Sequence, residues 1–173
     1  MAADPDVLDE LRRLRARVPQ LTGALATGAD GVVLAQDTPG VAPEDVAVLI
    51  TSAHGLAVKL ADATGQGDFR ELLVRGRYGY VATYAAGATA VLTLLAQDRV
   101  NVGRLLLEGR RAGARIGELL EERRAGTASA RQARAAKTAA KGAGARTGTA
   151  RAPRPTTTDP VTDTHNPVTD THS

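Results

Sequence analysis

The feature that most constrains this chain is the point where its large apolar side chains stop. Leu, Ile, Val and Phe number 35 in residues 1–124 and only 2, Val161 and Val168, in the other 49 of the 173 residues. A segment that poor in large apolar groups cannot bury enough surface to offset its ordering entropy. One core is therefore expected over residues 1–124, a length sufficient for a single domain. Charge divides at the same place. Residues 1–124 carry 15 Lys and Arg against 16 Asp and Glu, residues 125–158 carry 7 basic and no acidic residues, and residues 159–173 carry 3 Asp and no basic residue. The net charge of +3 and the sequence pI near 9.7 thus belong to a tail and not to the domain. We read 125–158 as a disordered basic linker of Ala, Thr, Gly, Arg and Lys. We read 159–173 as a disordered acidic tail, in which the seven residues from Asp159 to His165 recur, with one change, from Asn166 to His172. Two such copies are low complexity, not a solenoid.

Several chemistries are excluded by what is missing. With no cysteine there is no disulfide scaffold, cysteine-ligated zinc site or thiol nucleophile. Two of the three histidines lie in the terminal repeat, which leaves His54. It has no Ser, Asp or Cys pattern around it and reads as a solvated or structural histidine. No phosphate-binding loop, zinc-protease helix, nucleophile elbow or kinase set is present. Gly65-Gln66-Gly67 leads into a strand and reads as a loop. No apolar run approaches the length of a membrane span, and the acidic N-terminus lacks the features of a secretion signal. The expectation is a cytoplasmic protein with no cofactor, no metal and no catalytic residue.

Local patterns give an order of elements. Asp4-Pro5 caps and opens a helix whose apolar face is Val7, Leu11, Leu14 and Val18, ending near Pro19. Residues 20–27 alternate weakly, with Leu21 and Leu25 on one side. The turn Gly28-Ala29-Asp30-Gly31 and then Val32–Ala35 complete a hairpin. Pro43-Glu44-Asp45 opens a long helix that Gly65 ends. Its apolar stripe reads as Val46, Leu49, Ile50, Ala53, Ala57 and Leu60. Strands are expected over 68–75, 78–85 and 88–96. Asn101 caps a last helix running to about Arg124, with Val102, Leu105, Leu106, Ala112, Ile116, Leu119 and Leu120 on its apolar face. The result is an α/β (α+β) sandwich, α-β-β-α-β-β-β-α, around a five-stranded antiparallel sheet.

Three local features bear on contacts. Gly109, Gly113 and Gly117 recur every fourth residue on the buried side of the last helix. The expected reason is close approach of its backbone to the sheet, because the arginines around them argue against a membrane dimer. Phe69, Tyr78, Tyr80 and Tyr84 fall within 16 residues, and the tyrosines share strand parity. They read either as packing under a helix or as part of an interface. The long helix has a second face of Val48, Ser52, Gly55 and Lys59. It is too weakly polar for a merely solvated surface, which favours contact with another helix.

The element order resembles that of bacterial members of the Roadblock (dynein light-chain) family. So do the strings Val18-Pro19-Gln20-Leu21-Thr22-Gly23-Ala24-Leu25, Gly28 to Ala35, Arg75-Gly76-Arg77-Tyr78-Gly79-Tyr80-Val81 and Asn101-Val102-Gly103-Arg104-Leu105. The resemblance covers about residues 5–122. It implies a roadblock/longin-like fold with strand order 2-1-5-4-3, the long helix on one face and the first and last helices on the other. It also implies a homodimer made through the third strand and the long helix, here through Val48, Ser52, Gly55, Phe69, Leu72 and Val74. The edge position implied for the apolar strand 68–75 supports pairing, since a monomer would leave an association hazard there. The implied function is regulation or scaffolding of a small Ras-like GTPase, as in MglB-type GTPase-activating proteins or in subunits that work beside a GTPase and a sensor kinase. Such a protein would meet the membrane only through partners. The partner-facing residues stay unknown. The alternative is binding of nucleic acid or an anionic surface through Arg131, Arg134, Lys137, Lys141, Arg146, Arg151 and Arg154 of the tail, with the domain as a dimerisation module.

Overall fold

The computed structural model of the chain describes the backbone of residues 3–143 and the side chains of residues 3–137. The elements follow the expected order: α1 (Pro5–Arg17), β1 (Leu21–Gly28), β2 (Val33–Asp37), α2 (Pro43–Ala63), β3 (Glu71–Arg75), β4 (Gly79–Ala86), β5 (Ala90–Gln97) and α3 (Val102–Ala143). The sheet is antiparallel with order β2-β1-β5-β4-β3, so β3 is an edge. This is the roadblock/longin-like α+β arrangement.

The termini of the helices form where the sequence places its stop and start chemistry. The Asp4 carboxylate accepts from the Val7 N–H at 3.4 Å, and the Asn101 side chain accepts from the Arg104 N–H at 2.9 Å. Gly65, just past α2, has φ +68°, the left-handed conformation that a helix C-terminus favours.

Two hydrophobic layers enclose the sheet. On one face α1 contributes Val7, Leu11 and Leu14, with Val18 just past its end, all buried, and α3 contributes Leu105, Ala112 and Ile116. They pack on Ala24, Ala26, Ala82, Tyr84, Leu92 and Leu94. The other face is thinner. There α2 sets Ala47 and Ile50 on Leu25 and Val91, with Val33 and Val46 beside them. Leu21 and Leu25 therefore face opposite layers, not one side as simple alternation predicts. The cause is a register shift between Leu21 and Gly23 that inserts one residue and flips the pleat.

The close approach of α3 to the sheet is as expected from its glycines. A Cβ on Gly109 would lie 2.3 Å from the Tyr84 ring, on Gly113 2.9 Å from the Ala85 carbonyl oxygen, and on Gly117 2.6 Å from the Gly87 nitrogen. Tyr84, the largest fully buried side chain, donates its hydroxyl to the Leu105 carbonyl at 3.3 Å.

Three readings need correction. The helix expected to stop near Arg124 continues to Ala143, so residues 125–143 are helical and not disordered. Alanine is the strongest helix former and no proline intervenes before Pro153, so the backbone can stay helical without large apolar anchors. By its contacts the chain divides into residues 1–132 and 133–173; of the second unit the described residues are 133–143, all helical. The remaining linker and the acidic heptad pair lie outside the described residues. Next, α2 is long and apolar enough to cross a bilayer by length and composition alone, although Thr51, Ser52, His54 and Lys59 interrupt its apolar residues. Finally, Phe69 and Tyr78 lie outside the strands, because β3 begins at Glu71 and β4 at Gly79.

Candidate interaction surface

Helix α2 is apolar on both sides, and only one side is covered. Its sheet-facing contacts come from Ala47 and Ile50, while just 11% of its apolar stretch is buried. Leu49 and Leu60, expected in the core stripe, are 70% and 62% exposed, and Leu56, outside that stripe, is 69% exposed. With Ala53 they fall at positions i, i+4, i+7 and i+11, one seam along the outer side of the helix. Apolar side chains in such a row, on a helix already anchored by its other face, form a surface that another chain can cover.

The predicted interface residues are placed as follows. Val48 and Ser52 are exposed on the outer side of α2, and the Ser52 hydroxyl donates back to the Val48 carbonyl at 3.0 Å. Gly55 is half-buried, with nothing within 4 Å of where a Cβ would stand. That opening would admit a neighbouring backbone. Leu72 and Val74 lie opposite Thr83 and Val81 of β4, which in turn lie opposite Thr93 and Leu95 of β5. Cross-strand partners share a sheet face, and Thr93 is the partner of Leu25, which packs under α2. Leu72 and Val74 thus emerge on the α2 side of the sheet, at its edge. Phe69 is half-buried and meets the His54 ring edge-on at 4.8 Å. It joins α2 to the segment before β3 and is satisfied inside the chain. Burial lowers the affinity of His54 for a proton, so it serves there as a neutral packing group.

The opposite side of β3 is tied down by charge. Arg110 of α3 donates two hydrogen bonds to the Glu71 carboxylate, at 2.7 and 2.6 Å. This paired geometry holds the Glu71 carboxyl below its usual protonation range. Arg17 likewise bridges the nearly buried Glu10 and Glu108 at 2.9 and 2.8 Å, joining α1 to α3. These arginines are spent inside the fold.

The tyrosines divide between the two readings. Tyr84 and Tyr80 pack on the core under α1 and α3, whereas Tyr78 is 81% exposed at the tip of the β3–β4 hairpin. The Arg77 guanidinium sits 5.5 Å from the Tyr78 ring centroid, and Arg75 sits 5.7 Å from that of Tyr80. Among the described residues, no group of three or more His, Asp or Glu is placed to hold a metal ion.

Composition alone hid the outer seam of α2. The signal for it was present in the spacing of Leu49, Ala53, Leu56 and Leu60. Because Val46, Ala47 and Ile50 supply a second apolar row, periodicity could not say which row faces the sheet.

Comparison with known proteins agrees with this architecture. A curated relative, an uncharacterized protein of Methanocaldococcus jannaschii, is 30% identical over 97 residues, covering 56% of this chain and 84% of that protein. MglB of Myxococcus xanthus has a similar structure, with a TM-score of 0.64 at 15% identity over 68% of this chain and 97% of that one. A Roadblock/LC7 domain from Streptomyces avermitilis has a TM-score of 0.61 at 22% identity, covering 66% and 97%. At these identities the two structures speak to fold. The family model for the Roadblock/LC7 domain matches residues 7–96, and the chain belongs to that family.

Proposed function

We propose that this protein is a non-enzymatic, homodimeric regulator or scaffold that binds a small Ras-like GTPase and acts as its activating partner. The observation that carries the reading is the uncovered apolar seam of α2 together with the open apolar edge of β3. A second copy covers both by an isologous contact, with Val48, Ser52, Gly55, Leu72 and Val74 beside Leu49, Leu56 and Leu60. Phe69 contributes by fixing the loop that leads into β3. The dimer then offers one continuous surface to a GTPase. Binding one state of the partner's switch regions more tightly than the other shifts their populations, and no covalent step by this chain is required. Likeness to MglB supports the GTPase as partner class. A sensor kinase assembly, and peripheral attachment to a membrane through it, fit the same scaffold role in the cytoplasm.

The test has two stages. Light scattering on the eluting protein at micromolar concentration is expected to give twice the chain mass. Purified protein is then titrated into small GTPases of the same organism, with nucleotide exchange and hydrolysis followed. A monomer would remove the dimer, and no effect on any nucleotide cycle would remove the regulator. The second reading, polyanion binding by the tail, rests on the absence of any acidic residue between 123 and 158. It requires a DNA mobility shift that vanishes as salt rises.

A further inference from the structure

We propose that two copies pair their β3 edges in the single register centred on Leu73, and that this seats the Arg77–Tyr78 tip of each copy on the Asp68–Phe69 segment of the other. The inference rests on the dimer reading above and adds which residues meet.

The direction of the backbone groups on β3 follows from two hydrogen bonds. The Ala85 N–H donates to the Arg70 carbonyl at 3.1 Å, and the Gly76 N–H donates to the Gly79 carbonyl at 2.8 Å. With Glu71 opposite Tyr84 and Arg75 opposite Tyr80, residues 70, 72, 74 and 76 form the hydrogen-bonded pairs with β4. By the alternation of an antiparallel ladder, Glu71, Leu73 and Arg75 turn their N–H and C=O groups to the open edge.

A second copy must match those three residues with its own three. Centring on Leu73 uses all of them and sets Glu71 across from the partner's Arg75 at both ends. Centring on Leu72 or Val74 leaves an outward residue of the strand unmatched. Centring on Glu71 or Arg75 sets like charges face to face, which is unfavourable.

The register carries past the strand. Gly76, which has no side chain to interfere, falls opposite the partner's Arg70. The two-residue tip then reaches the partner's Phe69 and Asp68. Arg75 thereby falls across from Glu71, which Arg110 already holds from within the chain, while Arg77 falls across from Phe69, one residue from the acid Asp68. A groove of about 540 Å³ opens at that spot, its charged lining made of the acids Asp68 and Glu71 and the cations Arg70 and Arg110, with Phe69 and Tyr84 as its rings. Tyr78, the most exposed large apolar side chain in the described chain, supplies the ring to fill it.

The chain has no native cysteine, so introduced ones report without interference. Residues 72 and 74 fall in non-hydrogen-bonded pairs in each competing register, with Cα atoms about 4.5 Å apart and within disulfide reach. L72C and V74C chains that have exchanged subunits are expected to give a mixed disulfide dimer on oxidation, with neither variant cross-linking to itself. Self-cross-linking of L72C or of V74C would overturn the register. No cross-link in protein that still scatters as a dimer would overturn β3 pairing, whereas monomeric wild-type protein would overturn the dimer reading itself. For the tip, R77E and Y78A are each expected to raise the dimer dissociation constant about tenfold. The charge-swapped D68R/R77E protein is expected to regain wild-type affinity. Unchanged affinity in both single variants, or no rescue, would overturn the seating of the tip.

Discussion

Replacing Gly117 by alanine separates two opposed effects at one residue. In an ordinary helix the change would gain about 1 kcal/mol of propensity. Here the added methyl would lie 2.6 Å from the nitrogen of Gly87, backbone that cannot rotate away. Forcing a methylene into a packed contact costs about 1–3 kcal/mol, so Gly117→Ala is expected to lower stability by roughly 1 kcal/mol net, read as a lower urea midpoint with unchanged slope. That the three glycines lay against the sheet was legible in their four-residue spacing. That Tyr84 was the ring above Gly109 was not, because strand parity alone treats Tyr78, Tyr80 and Tyr84 alike. A second residue-scale outcome concerns Glu71. Arg110 depresses its folded protonation, so the pair adds stability above the unfolded carboxyl pKa and loses it as pH falls through the folded one. Wild-type protein is expected to lose urea resistance on acidification below about pH 5. Arg110→Gln should start lower at neutral pH and fall less over that range, and parallel profiles for the two proteins would argue that the pair is silent.

Helix α2 is where the sequence was read correctly as an element and incorrectly as a face. Pro43, Glu44, Asp45 and Gly65 gave its ends. Its buried side could not be chosen from periodicity, since apolar residues recur on both sides and small ones such as Ala53 and Ala57 fit either. The thin layer beneath it, Leu25 and Val91, explains the outcome: so narrow an apolar sheet face needs only Ala47 and Ile50 to close it. The outer seam is thereby left for a partner. Leu56→Lys, at a position 69% exposed in the single chain, is expected to convert dimer to monomer in light scattering. Its effect on the urea midpoint at high dilution, where wild type is also dissociated, should lie within about 0.5 kcal/mol. Loss of folding in that variant would mean that Leu56 belongs to the core. The end of α3 failed for a different reason. Burial stops near Leu120, whereas helix formation in an alanine-rich stretch depends on propensity and continues beyond it.

For the whole molecule, the question is which part of the chain carries the function. The buried hydrophobic residues run from Val7 to Ile116, and the partly buried residues packed on them end at Leu120. The α2 seam and the β3 edge lie inside that span. A chain shortened after Gln132 therefore keeps every described core contact and the whole proposed dimer surface. It is expected to unfold within about 2 °C of the full chain, a shift well below 1 kcal/mol for a domain of this size. It should also remain dimeric and retain its effect on a GTPase nucleotide cycle. Binding of a polyanion is the property it should lose, because Arg134, Lys137, Lys141, Arg146, Arg151 and Arg154 go with the removed segment while the domain before residue 125 has balanced charge. The opposite pattern is equally readable: a shortened chain that folds and dimerises yet no longer affects any GTPase would place partner recognition in residues 133–173, and the domain would then serve to bring two such tails together.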